Sequence, residues 1–138
     1  MIRLFVIIIS LIATTTWGSV GEITVITGPG EIKRQSEKFE GSAGTELEMQ
    51  DAITTQNGAW QLEFLDDTRV DITEHSRMVI DEFIYDPQTK TGALSMKATL
   101  GAVRYASGQI AKNSRQRVNI RTPSATIAVR GTDFMMIV

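Results

Sequence analysis

From Val20 onward the hydrophobic positions recur at every second residue. Residues 60–65 set Trp60, Leu62 and Phe64 against Gln61 and Glu63. Residues 68–73 set Val70 and Ile72 against Arg69, Asp71 and Thr73. Successive side chains of an extended chain point to opposite faces, so each run predicts a strand with one buried side. Residues 22–27 place Ile23 and Val25 on one face and Ile26 on the other. Residues 77–81, 93–99, 102–105, 118–122 and 125–129 extend the series to about ten short strands. β-Branched and aromatic residues gather in these runs, as a pleated, half-buried surface favours. No window beyond residue 20 carries the period of an amphipathic helix.

Turn residues punctuate the runs. Gly28-Pro29-Gly30, Asn57-Gly58, Asp66-Asp67, Asp86-Pro87 and Thr91-Gly92 all fall between or beside strands. Asp66-Asp67, between two alternating runs, predicts a hairpin or tight corner. Residues 35–45 and 107–116, rich in Ser, Gly, Lys and Gln, are predicted loops. Elements at roughly ten-residue spacing, with no domain-boundary linker, predict one all-β domain. Its many short strands suit a β-solenoid-like fold, a roll or a sandwich.

The first residues follow a different pattern. Met1 to Arg3 give a short positive start, and Leu4 to Ala13 form an apolar run of ten residues broken only by Ser10. A membrane-spanning helix needs about 20 such residues, so the layout predicts a signal peptide over 1–18. Cutting after Gly18, with Thr16 two residues before it, leaves a β domain over 20–138. An uncleaved anchor is the alternative.

Composition narrows the function classes. The chain has 138 residues, 42% of them hydrophobic, and a formal net charge of −2. No global field draws it to nucleic acid, and no nucleic-acid partner is expected. It has no cysteine, which excludes a disulfide scaffold and the usual structural zinc sites. Charge is nonetheless uneven. Residues 46–86 carry eleven acids against Arg69 and Arg77. Residues 97–130 carry Lys97, Arg104, Lys112, Arg115, Arg117, Arg121 and Arg130 and no acid. Either the two halves complement each other, or a basic patch meets an acidic partner or glycan.

Catalytic chemistry finds little support. The one histidine, His75, adjoins Ser76, and neighbours on an extended chain point apart. No G-x-S-x-G occurs. Asp66/Asp67 and Asp81/Glu82 lack the spacing of a calcium loop. Gly28-Pro29-Gly30 is not followed by the lysine of a phosphate-cradling loop. The expectation is a protein that is not an enzyme, with no catalytic residue, cofactor or metal.

The most patterned stretch is Thr-Pro-Ser-Ala-Thr-Ile-Ala-Val-Arg-Gly-Thr-Asp-Phe, residues 122–134. It resembles the signature T-P-x-A-x-x-x-V-R-G-T-x-F of the FecR-type periplasmic domain. Thr122, Pro123, Ala125, Val129, Arg130, Gly131, Thr132 and Phe134 match it without departure. Upstream, Thr55 to Gly58, Asp66-Asp67 and Ser76 resemble the family's central part, although Asp67-Thr68 replaces its usual Asp-Gly corner. Residues 92–112 resemble the segment before the signature.

The resemblance implies a domain of the bacterial envelope that works by contact with a protein partner in signalling. The signature residues then serve architecture. Proline marks a strand edge or start, glycine allows a sharp bend, and arginine ties loop carbonyls with its fork of donors. The best-known family members carry a sigma-factor-binding segment before a membrane helix. Only Met1 to Arg3 precede the apolar run here, so an exported, free-standing form without that segment is expected. The apolar end at residues 133–138 leaves open that further chain follows. Alternatives are a structural or adhesive subunit of an envelope or extracellular assembly, and a secreted carbohydrate-active β-protein.

Overall fold

The computed structural model describes residues 18–114, 117–129 and 133–138. The expected signal peptide lies outside these residues except for Gly18. Of the described residues, 60% are strand and 4% helix. The strands are β1 (Ser19–Ile26), β2 (Gly30–Arg34), β3 (Glu37–Glu40), β4 (Glu46–Glu48), β5 (Ala52–Thr55), β6 (Trp60–Phe64) and β7 (Arg69–Ile72). They continue as β8 (Arg77–Asp86), β9 (Thr91–Leu100), β10 (Ala102–Ala106), β11 (Val118–Arg121), β12 (Thr126–Val129) and β13 (Phe134–Ile137), with one helix, α1 (Gln109–Asn113), between β10 and β11.

These strands form two sheets. The first runs β13-β10-β7-β6-β1-β4 and the second β12-β11-β9-β8-β5-β2-β3. Among the described residues all ladders are antiparallel except that of β9 with β11. The chain passes repeatedly from one sheet to the other. Its hydrogen bonding, however, is that of hairpins and not of stacked parallel coils.

The core lies between the sheets. Leu62, Val70, Ile72 and Val103 from the first meet Ile32, Ile53, Met78, Ile80, Leu94, Met96 and Ile120 from the second, all buried. Phe64 of β6 stacks on Phe83 of β8, ring centroids 5.5 Å apart, joining the two layers. Each fully buried aliphatic side chain here contributes about 1.5–3 kcal/mol. The alternating runs of β6 and β7 therefore form as predicted. Their apolar positions face inward and their polar positions make the outer face.

Three expectations change. In β1 the register shifts between Ile23 and Val25, so Val25 turns outward at 46% exposure while Ile26 packs against the core. An extra residue in one strand reverses every following side chain, which periodicity alone does not reveal. Residues 35–45, predicted as loop, hold β3, paired with β2 from Glu31↔Glu40 to Arg34↔Glu37. Gln35 makes the turn at φ 56°. This edge strand is short and carries Glu37, Lys38 and Glu40, charges that discourage further pairing. Residues 107–116, also predicted as loop, hold α1, whose Ile110 and Ala111 are buried. Five residues are too few to show a period.

Candidate functional site

The signature begins as a hairpin. β11 and β12 pair from Val118↔Val129 to Arg121↔Thr126. Between them Thr122 donates its backbone N–H to Ala125 O at 2.8 Å, and its hydroxyl accepts from the Ala125 N–H at 3.1 Å. Pro123 sits exposed in this turn, where its missing N–H costs nothing. It lies in the turn before β12, the edge strand of the second sheet. Ala125 is exposed, Val129 is buried, and Phe134 packs on Tyr105 with centroids 5.3 Å apart. Asp133 Oδ1 accepts from the Ser107 N–H at 2.9 Å, tying the start of β13 to the segment before α1. Arg130, Gly131 and Thr132 lie outside the described residues, as does Arg115.

The residues of the central part are corners. Asp66 is fully buried at the β6–β7 hairpin, where Asp67 has φ 68°. Its carboxylate accepts from the Thr68 hydroxyl at 2.7 Å, the Thr68 N–H at 3.2 Å and the Ile110 N–H at 3.1 Å. Its backbone carbonyl accepts from the Gln109 N–H at 2.7 Å. One aspartate thus closes its own turn and holds the start of α1. Gly108 lies against this corner so closely that a Cβ would overlap the Asp66 carbonyl and the Thr68 amide.

Ser76 is also fully buried. Its hydroxyl lies 3.1 Å from Thr73 Oγ1, donates to Glu74 O at 3.2 Å and accepts from the Ala102 N–H at 3.3 Å. Its N–H donates to Thr55 Oγ1 at 2.9 Å. His75 beside it is exposed, at φ 52°, with its N–H on Gln56 O. Ser76 is thereby committed to structure, and the pair does not form a nucleophile with its base.

Among the described residues the two charged halves meet in one ion pair. Arg121 on β11 pairs with Asp81 on β8. Arg34 makes a two-pronged contact with buried Asp51, Nε at 2.9 Å and a terminal nitrogen at 2.8 Å. The Asp51 hydrogen bond is the main reason the Arg34 guanidinium holds its proton more tightly than usual. Tyr105, at 0% exposure, has its phenol pushed up chiefly by burial. The nearby polar groups of Ser107 and Thr68 oppose this, and the charges of Asp66 and Asp133 add to it.

Two grooves lie on the outer faces. On the second sheet a cavity of about 510 Å³ is walled by Glu82, Ser95, Asn119, Arg121 and Thr126, against the signature hairpin. On the first sheet a cavity of about 460 Å³ is walled by Gln61, Arg69, Asp71, Arg104 and Met135. Register places Met135, Arg104, Asp71 and Gln61 in one row across β13, β10, β7 and β6. Gln61 and Asp71 are expected from the sequence as polar positions of alternating runs, whereas Met135, expected to pack in the core from its apolar run, is 56% exposed. The sequence does not group them, because only the strand order makes them neighbours.

The chain folds as a two-sheet β domain with buried polar corners and polar grooves outside. Its family is that described as FecR protein, whose model matches residues 50–138. The chain belongs to this family, a regulatory and signalling one that is generally non-enzymatic. No curated protein and no solved structure matches the chain. Among the described residues no helix is long and apolar enough to cross a membrane.

Proposed function

We propose that this chain is an exported, non-catalytic FecR-type module that binds a protein partner in envelope signalling. Residues 1–18 direct export and residues 20–138 form the working domain. The observation that carries the reading is the family match over residues 50–138, the segment that includes the signature hairpin and every wall of the second-sheet groove. Within that segment Asp66 and Ser76 are spent on corners, while Glu82, Ser95 and Asn119 face outward beside β12. Polar groups presented from a rigid sheet suit recognition, since little order is lost on binding. Edge strand β12 adds free backbone groups next to the groove.

A photo-crosslinking residue at Asn119, compared with one at Lys90 in the β8–β9 turn, tests this in intact cells. Adducts with an envelope protein are expected from Asn119 only. Mass spectrometry of the recovered protein is expected to show a mature start near Ser19. A full-length species in the cytosol, or equal adducts at both positions, would overturn the reading.

A further inference from the structure

The two sheets end in four edge strands, and these differ in charge. β3 carries Glu37, Lys38 and Glu40, and β4 carries Glu46 and Glu48. Such charges keep an edge from pairing with another chain. β12, Thr-Ile-Ala-Val, carries none. β13 is uncharged too, but of the four only β12 borders the second-sheet groove. The backbone of β12 also points outward at the right places. The Thr122 N–H bonds to Ala125 O, which makes 122 and 125 a hydrogen-bonded pair of the β11–β12 hairpin. Such pairs alternate along an antiparallel ladder, so Ile120 with Ile127 and Val118 with Val129 are bonded pairs as well. Thr126 and Ala128 therefore turn their N–H and C=O groups away from β11, to the side where the sheet has no further strand. Neither backbone has another hydrogen-bond partner among the described residues. On the core side Val129 is buried and Ile127 half-buried, whereas Thr126 and Ala128 are exposed beside Arg121 and Asn119.

We propose, resting on the partner-binding reading above, that the protein partner supplies an extended segment that pairs with β12 and adds a strand to the seven of the second sheet. A sheet edge offers donors and acceptors at strand spacing, and another extended backbone satisfies them in register. A helix spends its backbone groups internally, and a small ligand lacks the repeat. The side-chain pattern of the segment follows from the two faces of β12. Its residue beside Ile127 faces inward, covers the open flank of that side chain and is apolar. The residues before and after it face outward, next to Thr126 and Ala128, and are polar. Backbone pairing then gives affinity, and this alternation gives specificity. The polar groove on the same sheet receives whatever of the partner lies beside the segment.

A library of short random peptides displayed on phage and selected on the purified full chain supplies the probe. The selected peptides are expected to alternate apolar and polar residues. The Thr126 and Ala128 amides are expected to exchange freely in the parent alone and to become protected when a selected peptide binds, while those of Glu37 and Lys38 on β3 do not change. Ala128→Pro removes an outward N–H and no ladder bond, and is expected to weaken peptide binding about tenfold. Ala128→Ser keeps that N–H and is expected to bind within about twofold of the parent. In cells, Ala128→Pro is expected to diminish the Asn119 adduct and Ala128→Ser to keep it. A selection that yields no alternating peptide overturns the proposal. So does a bound peptide that leaves Thr126 and Ala128 exchanging as before, or an undiminished Asn119 adduct in a folded Ala128→Pro chain. Exchange in the parent decides the matter even where Ala128→Pro does not fold. Whether the parent gives Asn119 adducts at all tests the partner-binding reading separately.

Discussion

The Asp66 carboxylate accepts a hydrogen bond from the backbone N–H of Ile110, 44 residues later, at 3.1 Å. That bond, with Gln109 N–H on the Asp66 carbonyl, gives α1 the first-turn partner that its own sequence lacks, since Gly108 supplies no capping side chain. Asp66→Ala leaves the Ile110 amide and the Thr68 amide and hydroxyl short of a partner in a buried place. The expected loss is about 1–3 kcal/mol for each group that water does not reach. Urea denaturation of variant and parent measures it, and amide exchange at Ile110 is expected to quicken more than at Leu62. Asp66→Asn keeps one acceptor and is expected to lose less.

Gly101 carries a second prediction. It has φ +88°, and a Cβ there would overlap Ser76 Oγ. Gly101→Ala therefore meets both strain and collision, and its cost is expected to exceed the 1–3 kcal/mol, roughly, of an unfavourable backbone conformation alone. Ser76→Ala removes the clashing oxygen but takes a donor from the Glu74 carbonyl, while the Ala102 N–H keeps Thr73 Oγ1 at 3.2 Å. In the double variant the losses are expected to fall short of their sum, which thermal denaturation of the four proteins checks.

Arg34 and Asp51 give a third. Asp51 is 0% exposed and depends on the Arg34 fork and the Glu48 N–H at 2.9 Å. Arg34→Ala strands a buried carboxylate, with an expected loss of about 3–5 kcal/mol. Arg34→Lys is expected to recover less than half of this, because an ammonium does not reproduce the two-pronged geometry. Equilibrium unfolding at neutral pH decides it.

Tyr105 gives a pH dependence. Its phenol is raised above the ordinary tyrosine value, mainly by burial. A group whose folded pKa lies above its unfolded value holds a proton in the folded state that the unfolded chain has already released. Its contribution is thus complete below the unfolded pKa, about 10, and is lost as pH rises from there through the folded value. The parent is expected to lose stability above that pH faster than Tyr105→Phe, as read by denaturant midpoints along an alkaline series.

Much of this protein was legible in the order of its residues. Trp60, Leu62 and Phe64, and Val70 and Ile72, alternate so cleanly that β6 and β7 and their buried faces follow from the geometry of an extended chain. The Asp66-Asp67 corner follows from turn chemistry, and the all-β class from the repetition of such runs. The family follows from residues 122–134, because a motif is a string and needs no coordinates. Tertiary structure alone decided the rest. Val25 faces outward because β1 slips by a residue against β6, which only the partner strand reveals. Residues 109–113 become helix because an aspartate from another hairpin meets their amides. Arg104 and Asp71 share a face because β10 lies beside β7, an adjacency between strands more than thirty positions apart that no local pattern encodes. Periodicity reports which side of a strand is wet. Which strands are neighbours is settled by packing the whole core, and the surface chemistry depends on that neighbourhood.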